Sequence, residues 1–120
     1  MSNPKFFRVE PQGDTLVFTA SNNLGSLVED DVRDEWEALL REFELHNARN
    51  AIIDLGSLDY FGSIMLELMV VLWKRVSAKH GKMVICNVSH VGQEILQTAK
   101  FHTIWPIVKT REEAFAALSS

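Results

Sequence analysis

Ser63 is the residue whose setting points most directly to chemistry. It stands at the start of a strongly apolar segment and follows Gly62. A hydroxyl at a helix N-terminus lies at the positive end of the helix dipole, beside backbone N–H groups that have no intrahelical partner. A phosphate added there would be well received. It would bring roughly −1.5 to −2 charge in one step. No Lys or Arg lies close by in sequence to neutralise it, so the phosphate would stay available to repel or reshape a docked partner. Serine is also among the preferred helix N-caps, which gives Ser63 a purely structural alternative.

Other chemistry is less well supported. Ser63, His90 and Asp54 can be drawn as a triad, but no Gly lies at the second position after the serine, as a nucleophile elbow requires. Asp54 lies inside an apolar run, so the geometric roles of a hydrolase are not signalled. Cys86 ends another apolar run with no Gly-rich or Arg-bearing loop after it, and reads as a buried, inert thiol. As the single cysteine it makes no internal disulfide, and with four scattered histidines it gives no metal-ligand spacing. There is no G-x-x-x-x-G-K-[ST] and no G-x-G-x-x-G. The expectation is a protein without metal or cofactor that is not an enzyme.

Composition narrows the partners. Lys plus Arg is 12 and Asp plus Glu is 16, giving −4 overall, a poor balance for neutralising nucleic-acid phosphates. Apolar residues are 47% and charged residues 23%, as in ordinary globular chains. The N-terminal residues lack the apolar core of a signal peptide, and no run of about 18 apolar residues could span a membrane. A cytoplasmic protein without membrane insertion is expected. With 120 residues against the roughly 150 of a typical domain, residues 1–120 should form one domain.

The elements that must position Ser63 follow from pattern. Lys5 to Glu10 and Thr15 to Ala20 read as strands joined by Pro11-Gln12-Gly13-Asp14, a hairpin. Ser26-Leu27-Val28-Glu29 fits a capping box. Behind it Val32, Trp36, Leu39, Leu40 and Phe43 mark one helix face. Asn50 to Leu55 shows little alternation and reads as a strand buried on both faces. A helix from about Ser63 to Lys79 follows, apolar around nearly its whole circumference, with Gly81 as the residue just past its end. Its apolar girth is explained by packing, though the first turn, near Ile64 and Met65, is also placed to meet a partner.

Lys82 to Asn87 is a further apolar strand. Ser89 can cap a third helix with Val91, Ile95, Leu96 and Ala99 inward. Thr103 to Val108 is predicted as a strand, placed at a sheet edge by Pro106. Thr110-Arg111-Glu112-Glu113 is a second capping box, opening a helix with Ala114, Phe115 and Leu118 inward. The order ββαβαβαβα predicts an α/β fold with a mixed, mostly parallel sheet and right-handed crossovers. In such a sheet the functional edge lies at the carboxyl ends of the strands. Ser21 to Ser26, Gly56 to Ser63 and Asn87 to His90 reach that edge, and all three segments are rich in small polar residues.

The run AIIDLGSLDYFGSIML from Ala51 to Leu66 resembles the signature of STAS domains, the anti-anti-sigma factor family. KMVICNVS from Lys82 to Ser89 resembles that family's next strand and loop. FHTIWPI from Phe101 and TREEAF from Thr110 resemble its final strand and helix. The resemblance implies helices largely on one side of the sheet. It implies binding to an anti-sigma factor, a serine kinase of the GHKL type, and hence release of a sigma factor. It also implies phosphorylation of a Ser or Thr in a D-S-[ST]-G motif before the second helix, which aligns with Ser63. Gly62, Ile64 and Met65 stand where that motif has Asp, Ser or Thr, and Gly, so only the acceptor is kept.

Docking in the family corresponds to Ser21, Asn22 and Asn23, to Asp59, Tyr60, Phe61, Gly62, Ser63, Ile64 and Met65, and to Asn87, Ser89 and His90. These fall in the segments already selected by the sheet-edge argument. The leading expectation is an anti-sigma factor antagonist switched at Ser63, and a homodimer is left open. The alternative is a STAS-like, non-enzymatic subunit of a membrane-associated lipid ABC transporter, whose degenerate motif is not phosphorylated.

Overall fold

The protein is described by a computed structural model covering residues 6–21 and 29–119. The Ser26 capping box and the docking candidates Asn22 and Asn23 lie outside the described residues. The elements are β1 (Phe7–Gln12), β2 (Thr15–Ala20), α1 (Glu29–Leu45), β3 (Asn50–Asp54), α2 (Ser63–Ala78), β4 (Met83–Cys86), α3 (His90–Thr98), a 3-10 turn (Phe101–Thr103), β5 (Ile107–Val108) and α4 (Arg111–Ser119). The strands form one sheet in the order β1-β2-β3-β4-β5, with β1 antiparallel to β2 and every other pairing parallel. This is the mixed α/β sheet expected from the residue pattern. The Cα radius of gyration is 13.2 Å.

Strand alternation sorts the core into two layers. Leu16, Phe18, Ala51, Ile53, Met83 and Ile85 join the larger cluster that also holds the buried faces of α1, α2 and α3. The intervening Val17, Ile52, Val84 and Cys86 meet Ala114, Phe115 and Leu118 of α4 on the other face. β3 and β4 are therefore apolar on both sides, which is why they lack a polar alternation. Three aromatics lock α1 onto the sheet, with Trp36 4.7 Å from Phe7 and 5.5 Å from Phe18 between ring centroids. The Trp36 indole N–H donates to the buried carbonyl of Leu68 at 3.0 Å, tying α1 to α2.

Four departures from the predicted pattern have a clear physical reason. Gln12 pairs with Thr15, so only Gly13 and Asp14 turn the hairpin. Gly13 takes a φ of +63°, which a residue without Cβ adopts without strain. Pro11 is tolerated inside β1 because β1 is an edge strand. Secondly, the predicted strand from Thr103 shrinks to Ile107–Val108. Phe101 stacks on the buried Trp105 at 4.7 Å, and the intervening backbone coils into the 3-10 turn to allow it.

Thirdly, α2 closes with His80 rather than Gly81 in the left-handed region, at φ +59°. The His80 and Gly81 N–H groups donate back to the carbonyls of Ser77 and Val76, both at 3.0 Å, as in a Schellman motif. Fourthly, on α3, Val91 and Ala99 are exposed and Gly92 turns inward. A Cβ at Gly92 would lie 2.7 Å from Val88 Cγ1 and 2.9 Å from Phe61 Cε1, so α3 sits against the loop before α2 through a glycine.

Candidate functional site

Because β2, β3 and β4 are parallel, their carboxyl ends share one edge. The loop from Leu55 to Gly62 leaves β3 there and delivers Ser63 as the first residue of α2. Gly62 is the N-cap, and no side chain caps this helix. The Ser63 hydroxyl is therefore exposed rather than engaged as a cap, against the structural alternative considered for it. The first turn of α2 carries no acidic residue, so the positive end of the dipole at Ser63 is not offset from within the helix.

The flanking side chains divide by burial. Asp59 is exposed, and Tyr60 projects with 70% of its surface accessible. The Tyr60 hydroxyl lies 3.9 Å from where a Cβ at Gly62 would be. Phe61 and Met65, at 5% and 4%, belong to the core, and Ile64 is half-buried against it. Phe61 and Met65 were expected to meet a partner directly. Their side chains instead anchor the loop and the first turn beneath the exposed residues.

The other expected contact residues have structural duties. Ser89 caps α3 by accepting the Gly92 N–H at 2.9 Å. Its hydroxyl also donates to the Asp59 carbonyl at 2.8 Å, tethering the Ser63 loop to α3. Asn87 occupies the left-handed region at φ +59°, which Asn tolerates better than most residues. Its side-chain amide donates to Asp54 Oδ2 at 3.1 Å. His90 is exposed and lies 3.3 Å from Glu94 on the same helix. Ser21 is half-buried and its N–H donates to the Phe6 carbonyl at 2.7 Å. Asp54 is bound elsewhere, to Arg111, and His90 to Glu94, so the structure does not assemble Ser63, His90 and Asp54 into a triad.

The feature that sequence reasoning missed is the environment of Asp54. This carboxylate, 6% exposed, is the charged side chain buried in the core among the described residues. Its Oδ1 accepts the Gly56 N–H at 2.9 Å, and its Oδ2 accepts Arg111 Nε at 2.7 Å. Arg111 continues outward, with Nη2 on Thr19 Oγ1 at 2.6 Å and Nη1 on Glu10 Oε2 at 3.3 Å. The hydrogen bond that Arg111 donates to Asp54 raises its pKa further, so the guanidinium stays charged. Cys86 lies beside this cluster, paired with Asp54 across β3 and β4. Burial, with the Asp54 charge, pushes its thiol up to about 12, which accords with the inert thiol expected. The signal that could have found the cluster was a lone acid inside an apolar strand, which demands a cation from elsewhere in the chain.

The sequence profile of the STAS domain matches residues 7–114. The chain belongs to the STAS domain family. It is 31% identical over 72 residues to BtrV of Bordetella bronchiseptica, a proposed anti-sigma factor antagonist. That match covers 60% of this chain and spans 62% of the relative's length. Among solved structures it is similar to an anti-sigma factor antagonist (STAS) domain protein of Planctomyces limnophilus. The two share 28% identity over 97% of this chain and 100% of the other, with a TM-score of 0.81. The phosphorylated form of the Bacillus cell-fate determinant SpoIIAA shares the fold, at 18% identity over 92% of this chain and 97% of that one, with a TM-score of 0.69. No helix among the described residues of this STAS domain is long and apolar enough to cross a membrane.

Proposed function

We propose that this STAS domain is an anti-sigma factor antagonist that acts in the cytoplasm. It binds an anti-sigma factor of the GHKL serine-kinase type through the carboxyl edge of its sheet and so releases a sigma factor. Phosphorylation of Ser63 ends the binding. The observation that carries this reading is the exposed Ser63 hydroxyl at the first position of α2, with no cap role, in a chain matched along its length to an antagonist domain. A kinase could approach Ser63 without unfolding the helix, and the added charge would sit on the surface that Asp59 and Tyr60 flank.

The alternative of a permanent transporter subunit rests on the degenerate motif around Ser63 and on the apolar girth of α2. That girth is accounted for within the chain except at Val71, which is exposed. Met65, Leu68, Met69, Leu72 and Val76 are buried, and Ile64, Leu66, Val70 and Trp73 pack against the same core. The apolar pattern therefore no longer favours a second partner.

Titration calorimetry against a purified GHKL-type serine kinase from the same genome tests the proposal. Wild type should bind, and Ser63→Glu should bind at least about tenfold more weakly, since a fixed negative charge stands in for part of the phosphate. Equal affinity of the two would remove Ser63 from the switch. Co-purification with an ATPase subunit and no kinase would overturn the function.

A further inference from the structure

The Asp54–Arg111 cluster does more than neutralise a buried acid. Three of the bonds it makes end on different parts of the docking edge. Gly56 begins the loop that carries Ser63, and its N–H is held by Asp54 Oδ1 at 2.9 Å. Asn87 begins the loop after β4, and its amide is held by Oδ2 at 3.1 Å. Thr19 lies two residues before Ser21, where β2 runs out to the edge, and its hydroxyl accepts Arg111 Nη2 at 2.6 Å. Arg111 itself opens α4, on the face of the sheet opposite α2. Close approach enforces the arrangement at Gly56, where a Cβ would lie 3.0 Å from Asp54 Oδ1 and 3.3 Å from Asn87 Cβ.

We infer that Arg111 is a positioning residue for partner binding: directly at Thr19, and through Asp54 at Gly56 and Asn87, it holds the three edge segments in one register. This rests on the proposed docking edge. A guanidinium suits the task because its planar fork serves Asp54, Thr19 and Glu10 at once, whereas an ammonium offers a single charged point on a flexible stem. α4 packs on the far face, so the seating of that helix reaches the partner surface through one side chain. Lys in place of Arg111 keeps the charge and loses the fork.

Arg111→Lys, compared with wild type by amide NMR and by affinity for the kinase that wild type binds, tests the inference. The Gly56 and Asn87 resonances should move while those of α1 stay. Kinase affinity should fall about tenfold, the worth of one charge-assisted hydrogen bond. A merely structural Arg111 would lower the melting temperature and leave the affinity of the folded protein unchanged. Thr19→Val, which removes one acceptor and spares the ion pair, should move the same resonances less, and it serves if Arg111→Lys does not fold. Unmoved Gly56 and Asn87 resonances, or moved resonances with unaltered affinity, overturn the inference. If wild type itself binds no kinase, the proposed function fails, and the resonances alone then decide whether Arg111 orders the edge.

Discussion

Asp54 and Ser63 stand nine positions apart in sequence and at the same edge of the sheet, yet their polar atoms are treated in opposite ways. Both oxygens of Asp54 are occupied, by Gly56, Asn87 and Arg111. The carboxylate is buried, where an unmet bond would be costly. The Ser63 hydroxyl is exposed at a helix start and caps nothing. Water can satisfy it, so its position costs little and leaves it open to reaction. A satisfied buried polar group builds the frame, and an exposed, uncommitted one beside it is where chemistry can occur. The contrast also sorts the expected contact residues. Ser89 and Asn87 belong largely to the frame, whereas Asp59 and Tyr60 belong to the surface.

Removing Asp54 should give the largest effect. Asp54→Ala leaves the Gly56 N–H and the Asn87 amide without their acceptor and Arg111 with Glu10 as its remaining counter-charge, and should cost about 3 kcal/mol in urea unfolding. That is the low end for a broken buried pair, because Arg111 is itself a third exposed. A loss under about 0.5 kcal/mol, the range of ordinary surface substitutions, would erase the distinction between frame and surface.

The next effect is a pH dependence from Cys86. The native thiol holds its proton up to about 12, against an ordinary value of 9.0. Above pH 9 the unfolded chain therefore binds fewer protons than the native one. The stability this provides is fully present below pH 9.0 and is lost as pH rises toward about 12. Unfolding free energies from urea titration should fall above pH 9.0 by up to about 1.4 kcal/mol per pH unit. Cys86→Ala should flatten the difference, and a slope shared by both proteins would assign it to other groups.

Ser89→Ala removes a helix cap and the tether to Asp59 together. It should cost about 1 kcal/mol and speed amide exchange in the Ser63 loop. At the bottom of the scale, Ser63→Ala should change stability by less than about 0.5 kcal/mol. A larger loss would mean that the hydroxyl belongs to the frame after all.

What could be read from the sequence divides along the same line. The apolar runs at Ala51 and Met83 and the helical spacing from Val32 to Phe43 are local patterns, and they placed the strands and helices. Those elements in turn selected the segments that converge on the edge, because the carboxyl ends of parallel strands must share it. The pairing of Asp54 with Arg111 spans 57 positions and has no local signature. Arg111 reads as the second residue of a capping box, and half of that box forms: the Glu113 N–H donates to Thr110 Oγ1 at 3.1 Å, while Glu113 Oε2 accepts the Lys109 N–H at 3.2 Å. The short β5 was hidden for a similar reason, since the stacking of Phe101 on Trp105 overrides strand propensity there. The burial of Phe61 beneath the exposed loop depends on where α3 packs, which spacing alone does not set.

The central claim is that Ser63 is the reactive hydroxyl of this edge, and intact mass spectrometry tests it most directly. Wild type, Ser63→Ala and Ser89→Ala would each be incubated with ATP and the GHKL-type kinase that binds wild type. One phosphate on wild type and on Ser89→Ala, with none on Ser63→Ala, is the expected result. A phosphate that survives Ser63→Ala, or no mass change in wild type, would contradict it.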